Sequence, residues 1–209
     1  MYVVIRRTGL ATGAAGEAAR RARDHIVPLV QGRPGFRGYC GFVTDQGDAA
    51  YAISVFADRE TAMDAHRRVR DWIEAHMRDL MPEAPEVVAG ETVFHEVSHP
   101  QAQQKDSQPS LHVVIRTYSG ITGQTETMHS TVSEHVLPAI RRAPGFRGFY
   151  AFRDEAEPTR AVSVTLFETR QAAMESHEQV MAIMREQLGE MAYRPPRVVA
   201  GEAVVLATS

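Results

Sequence analysis

The sequence predicts an α+β fold built from two tandem βαββαβ modules packed sheet to sheet. Three observations carry that expectation. PGFRG at Pro34–Gly38 recurs at Pro144–Gly148, and VVIR at Val3–Arg6 recurs at Val113–Arg116, a spacing of about 110 residues. Later pairs, Ala62–His66 with Ala173–His177 and Val87–Glu91 with Val198–Glu202, stand one residue further apart. The extra residue falls between DQGD from Asp45 and DEAEPTR from Asp154, the kind of exposed hairpin tip that absorbs insertions. Within each copy, hydrophobic spacing passes from period two to helical and back, twice.

Each copy opens on a β-branched run, Tyr2–Arg7 or His112–Thr117, whose alternation predicts a strand with two differently treated faces. Helical spacing follows from about Ala14 to Gln31, with Ala18, Ala22, Ile26 and Val30 on one stripe; Met128, Val132, Val136 and Ile140 form its counterpart. Pro28 and Pro138 should kink or shorten this helix near its end, because proline lacks the amide the ladder needs. After the Pro-Gly turn come the strands Phe36–Thr44 and Ala50–Phe56, matched by Phe146–Arg153 and Ala161–Phe167. A second helix starts at Asp58 or Thr169, and PEVVAGETVF or PRVVAGEAVV closes each copy as a strand. A βαββαβ unit makes a four-stranded antiparallel sheet with both helices on one face, the ferredoxin-like arrangement, and leaves its other face bare. Two copies on one chain can cover those faces by packing together as an intrachain pseudo-dimeric α/β barrel with a cavity between the halves. The expected boundaries are residues 1–97 for the first module, 98–110 for a Gln/Ser/Pro-rich tether, and 111–209 for the second module.

Composition narrows the function. At 209 residues, a formal charge of −3 gives no electrostatic footprint for nucleic acid or an anionic membrane. Arginine far outnumbers lysine, with Lys105 the single lysine, and no partner follows from that. Cys40 is the single cysteine, so no intrachain disulfide can form and a reducing compartment is expected. No apolar run approaches the ~20 residues of a membrane span, and MYVVIRR runs directly into a strand, so the expectation is a cytoplasmic protein.

The PGF-R-G-(Y/F) strand, the apolar strand ending at Phe56 or Phe167, the helix entries DRETAMDAH and TRQAAMESH, and the closing VVAGE strand together resemble the antibiotic biosynthesis monooxygenase family of dimeric α/β barrels. The resemblance covers nearly all of both copies and implies a fused version of what is often a homodimer, with further dimerisation open. It also implies cofactor-independent oxygenation of an aromatic phenol or quinol, binding of an aromatic or haem-like ligand, or a structural or stress-related barrel. Where haem-degrading members carry tryptophan, this chain has Phe56 and Phe167.

Six residues are the site candidates. His66, with Ala62, Val69, Ile73 and Met77, and His177, with Ala173, Val180, Met184 and Leu188, each border the apolar stripe of the second helix. An imidazole there could deprotonate a phenol or ligate iron, or be a half-buried group hydrogen-bonded within the protein. On the first strand, Val3, Ile5, Val113 and Ile115 have the character of a helix-facing core, which would send Tyr2, Val4, Arg6 and Thr8, and His112, Val114, Arg116 and Tyr118, toward the barrel interior. Arg6 and Arg116 could stabilise a phenolate or enolate, with His112 and Tyr118 adding titratable groups in the second copy and making it the better catalytic candidate. The alternative is an arginine reaching water or a carboxylate such as Glu91 or Glu202. A packed interior would favour a scaffold; a cavity of a few hundred Å³, in the range of ~300–1,000 Å³ typical of ligand pockets, would favour binding or catalysis.

Other features read as structural. His25 and His135 suit a capping or surface role, Arg37 and Arg147 face solvent, Arg59 and Arg170 suit surface ion pairs, and Cys40 suits the core. His95-Glu96-Val97-Ser98-His99 matches H-E-x-x-H but follows a strand, whereas zinc needs both histidines on one helical face. Gly9, Gly13 and Gly16 lack the G-x-G-x-x-G spacing of a nucleotide loop. No cofactor or metal is expected, and the expected partner is a small molecule.

Overall fold

A computed structural model describes residues 1–98, 111–121, 125–192 and 195–209. Residues 99–110, all but the first of the expected tether, lie outside the described residues, as does His99 of the H-E-x-x-H stretch; His95, Glu96 and Val97 are strand. The first module runs β1 (Tyr2–Gly9), α1 (Ala15–Arg21), a π-type turn over Ala22–Ile26, α2 (Val27–Gln31), β2 (Phe36–Val43), β3 (Ala49–Phe56), α3 (Arg59–His76) and β4 (Glu86–Val97). The second repeats that order as β5 (His112–Tyr118), α4 (Thr125–Thr131), a π-type turn over Val132–Val136, α5 (Leu137–Arg142), β6 (Phe146–Arg153), β7 (Ala161–Phe167), α6 (Arg170–Ala192) and β8 (Arg197–Thr208). The eight strands hydrogen-bond in the closed barrel order β1-β3-β2-β8-β5-β7-β6-β4, the mixed α+β barrel expected from the sequence.

The expected proline kinks take a definite form. Pro28 and Pro138 each follow a π-type turn, at the second position of a new α-helical segment. Proline has no amide to close an i to i−4 bond, so the helix widens just before it and restarts with the ring where no donor is needed. Asp58 caps α3 by accepting the amide of Thr61 at 2.9 Å. Helix α6 breaks at Gly189, whose φ of 69° is open to glycine at little cost.

Two compact units emerge. One comprises Met1–Thr92 with Phe152–Ala156 and Gly201–Ser209; the other comprises Val93–Ala151 and Glu157–Ala200. In the first, β1 pairs antiparallel with β3 and β4, and β2 pairs with β3 and with the C-terminal half of β8. The second contains the antiparallel pair β5–β7. The glycine of each VVAGE motif allows close backbone approach within the first unit. A Cβ on Gly90 would stand 2.0 Å from the Arg153 carbonyl oxygen, and one on Gly201 would stand 2.4 Å from that of Val43.

The first unit's core joins Val4, Tyr39 and Phe56 of the sheet to Ala18, Ile26 and Val30 of the first helical segment and to Ala62, Ala65 and Val69 of α3. The second repeats this with Val114, Phe149 and Phe167 against Val136, Ile140, Ala173, Val180 and Met184. Both helical stripes are therefore buried as their spacing predicts, burial that contributes about 1.5–3 kcal/mol per large apolar side chain.

This packing corrects one expectation. Val4 and Tyr2 belong to the cluster beneath the helices, so the face carrying Tyr2, Val4, Arg6 and Thr8 looks at its own module's helices; Val114 places Arg116 and Tyr118 in the same way. Val3 and Ile5 occupy the opposite face. The reason is that Tyr2, Val3, Val4 and Ile5 are all buried. Alternation gives the parity of such a strand but not which parity meets the helices. No helix among the described residues is long and apolar enough to cross a membrane.

Candidate functional site

Arg6 and His66, singled out separately in the sequence, meet. Arg6 lies on β1 opposite Ala52, with Ser54 its diagonal neighbour on β3, and α3 carries His66 over the same spot. The Arg6 Nε donates to His66 Nδ1 at 3.1 Å, and Nη1 donates to Ser54 Oγ at 3.1 Å. The second module repeats the frame: Arg116 Nε donates to His177 Nδ1 at 3.0 Å and Nη1 to Thr165 Oγ1 at 3.1 Å, while Thr165 in turn donates to the Val114 carbonyl. Sequence reasoning missed Ser54 and Thr165. Their signal was a hydroxyl two residues before Phe56 and Phe167 in both copies.

The hydrogen bonds fix the state of the imidazoles. A ring that accepts at Nδ1 from a guanidinium carries its proton on Nε2 and is neutral. Burial, then the charge of Arg6, holds His66 well below the ordinary histidine value, at about 4, and the same two causes lower His177. These histidines orient arginines. The lone pair of His66 faces Arg6 instead of a substrate proton, so the expected general-base role does not match this geometry.

Arg6 is 2% exposed, and burial alone pulls its pKa down, although arginine stays charged. Among the described residues it has no carboxylate partner, so Glu91 does not neutralise it; both of its hydrogen-bond partners are neutral acceptors. Its third nitrogen, Nη2, is buried without a partner. Desolvating a cation costs several kcal/mol, and two neutral acceptors offset only part of that.

Beside Arg6 lies a cavity of about 50 Å³ within the first unit, walled mainly by apolar groups from β2, β3, α1, α3 and β8. Thr8, Tyr39 and Gly41 line it with Arg6. Tyr39 is 5% exposed, makes no hydrogen bond among the described residues, and has its phenol pushed up to about 12, first by burial. In the second module, His112 is buried on the face of Arg116, and Tyr118 packs partly buried against the core.

The remaining candidates lie elsewhere. His25 stacks on Trp72 at 5.0 Å, and Trp72 on His76 at 4.9 Å, near the surface. Arg59 binds Glu155 at 2.7 Å and Arg147 binds Glu168, while Cys40 is buried with its thiol pushed up to about 12. Arg147 is thus not simply solvent-facing.

The fold and these paired sites define a two-module α/β-barrel protein with a buried arginine held by an imidazole and a hydroxyl in each module. Residues 111–182 match the family model described as antibiotic biosynthesis monooxygenase, bearing out the resemblance drawn from the motifs. A protein of Lactobacillus acidophilus provisionally named a monooxygenase is similar in structure with a TM-score of 0.77 at 13% identity, over 99% of this chain and 95% of its own. One of Fusobacterium nucleatum, named in the same provisional way, gives 0.79 at 5% identity, covering 99% and 94%. A mutant chlorite dismutase of Candidatus Nitrospira defluvii gives 0.59 at 9% identity, covering 97% and 90%. At these identities the likeness shows the fold. Among curated proteins, none matches the chain in sequence.

Proposed function

We propose that this chain is a small-molecule-binding, monooxygenase-like protein in which a buried arginine holds negative charge on a substrate oxygen. One observation carries the reading: Arg6 is buried without a carboxylate, oriented by His66 and Ser54, and lines a largely apolar cavity. In such a site a guanidinium stabilises an enolate or phenolate far better than water does, and so acidifies the adjacent C–H or O–H. In cofactor-independent oxygenation the resulting carbanion reacts with dioxygen. A CH2 becomes C=O, one oxygen atom enters the product and the other leaves as water, so no external reductant is consumed. The match of the second module to the monooxygenase family supports this class.

The cavity limits the substrate. About 50 Å³ is well below the ~300–1,000 Å³ of pockets that enclose drug-sized ligands, which argues for a substrate smaller than a polycyclic phenol. A haem does not fit it either, and the lone pair of His66 is turned to Arg6. The same small volume favours a second reading, a packed barrel with a structural role.

Native mass spectrometry with an absorbance scan of the purified protein, followed by oxygen uptake with acetone and hydroxyacetaldehyde, enolisable carbonyl compounds small enough for the cavity, tests the proposal. Uptake or a retained acidic ligand that is lost in Arg6→Met supports it. A colourless, ligand-free protein that takes up no oxygen and is destabilised by Arg6→Met supports the structural reading.

A further inference from the structure

We infer that the first unit alone carries a site for a small planar monoanion, a carboxylate of formate or acetate size, with Tyr39 as its specificity-determining second donor. The inference rests on the reading of Arg6 given above and adds the ligand class, the partner residue and the restriction to one unit.

Two polar groups converge on one small apolar cavity with unused hydrogen-bonding capacity. Arg6 offers the unpartnered Nη2, and Tyr39 offers a hydroxyl with no hydrogen bond among the described residues. Register places them on one face: Arg6 lies opposite Ala52, Ser54 lies opposite both Val4 and Tyr39, and Gly41 lies opposite Ala52 from the β2 side. They are electrostatically coupled, the cation of Arg6 pulling the phenol of Tyr39 down against the larger effect of burial. A carboxylate presents two oxygens, one for each donor, and neutralises the buried cation. A neutral ligand would leave that charge uncompensated.

Size sets the upper limit. A cavity holds a water with roughly 10–15 Å³ of such volume, so about 50 Å³ accommodates roughly three to five heavy atoms. Gly41 helps keep the space open, since a Cβ there would stand 3.5 Å from the Tyr39 ring.

The second module repeats the arginine frame but not the lining. By the offset of the PGFRG repeats, Phe149 stands for Tyr39 and Ala151 for Gly41, while the VVIR repeats put Tyr118 at the place of Thr8. One donor is lost, and two of the lining positions carry larger side chains.

The test is isothermal titration of the full chain with sodium formate, acetate, isobutyrate and benzoate, alongside thermal unfolding. Saturable binding of formate or acetate with one site per chain is expected, with isobutyrate and benzoate excluded by size. Tyr39→Phe should weaken acetate about tenfold, as loss of one hydrogen bond to a charged group does. Thr8→Tyr, which copies the second module and removes neither donor, should abolish binding. Two equivalent sites per chain, or unchanged affinity in both variants, would overturn the inference while leaving an arginine-bound anion intact. No carboxylate binding to the wild-type protein, together with oxygen uptake on an enolisable ketone, would overturn it and retain the parent reading; absence of both would sink the two together.

Discussion

Acid should expose the neutral state imposed on His66. Its folded value is near 4 against an ordinary 6.5, depressed first by burial and then by Arg6, Arg70 and Arg67, with Asp71 opposing. A base held below its unfolded value is protonated more readily in the unfolded chain. The stabilisation is therefore complete above pH ~6.5 and drains away as pH falls toward ~4, below which the two states bind protons alike. The gap between about 4 and the ordinary 6.5 is worth at most about 3–4 kcal/mol, and the partial solvent contact of the ring lowers that to about 2 kcal/mol. His66→Gln supplies the control, because an amide oxygen can accept from Arg6 Nε and does not titrate. Urea unfolding should be followed from pH 7.5 to 4.5 in both proteins, with carboxylates and His177 cancelling in the difference. The wild type should lose about 2 kcal/mol more than His66→Gln over that interval. Superimposed profiles would refute the reasoning, since they would mean that His66 titrates alike in the folded and unfolded chains.

Three further outcomes follow from the same contacts. Ser54→Ala should cost about 1–3 kcal/mol in urea unfolding, because Arg6 Nη1 is left buried without its acceptor. Gly201→Ala should lower the thermal midpoint and cost at least about 2 kcal/mol, since the added Cβ meets both the Val43 carbonyl and the Phe42 ring; a midpoint equal to wild type would show that the strands part easily. Cys40, buried with its thiol at about 12, should resist iodoacetamide at pH 8 in the native protein and react fully in denaturant.

Much of this architecture was written twice in the chain, and repetition made it legible. The PGFRG turns, the helical stripes and the VVAGE strands each appear in both copies, so a weak local signal gained support from its twin. The direction of the first strand's faces did not benefit. Both copies bury residues on both faces, so Arg6 was assigned by parity to the wrong side, although His66 at the edge of the α3 stripe was the acceptor that would have placed it. Ser54 and Thr165 sat unnoticed inside strands read only for their apolar neighbours. Tyr39 had no repeated counterpart to draw attention to it. The cavity lay beyond the pattern altogether, because a gap depends on how the side chains of six elements meet around a missing Cβ at Gly41.

That contrast bears on where chemistry resides in a repeated fold. The arginine, hydroxyl and imidazole recur in both modules with hydrogen bonds that agree to within about a tenth of an ångström, so the frame alone cannot distinguish a working site from a structural one. What differs is the lining. Thr8, Tyr39 and Gly41 combine two polar groups with a missing side chain around Arg6, whereas Tyr118, Phe149 and Ala151 take those places around Arg116. A buried cation such as Arg6, with two neutral hydrogen-bond partners, is costly. The cavity gives that charge a place to meet an anion, so the first module is the better place to seek a ligand, even though the second carries the clearer family signature.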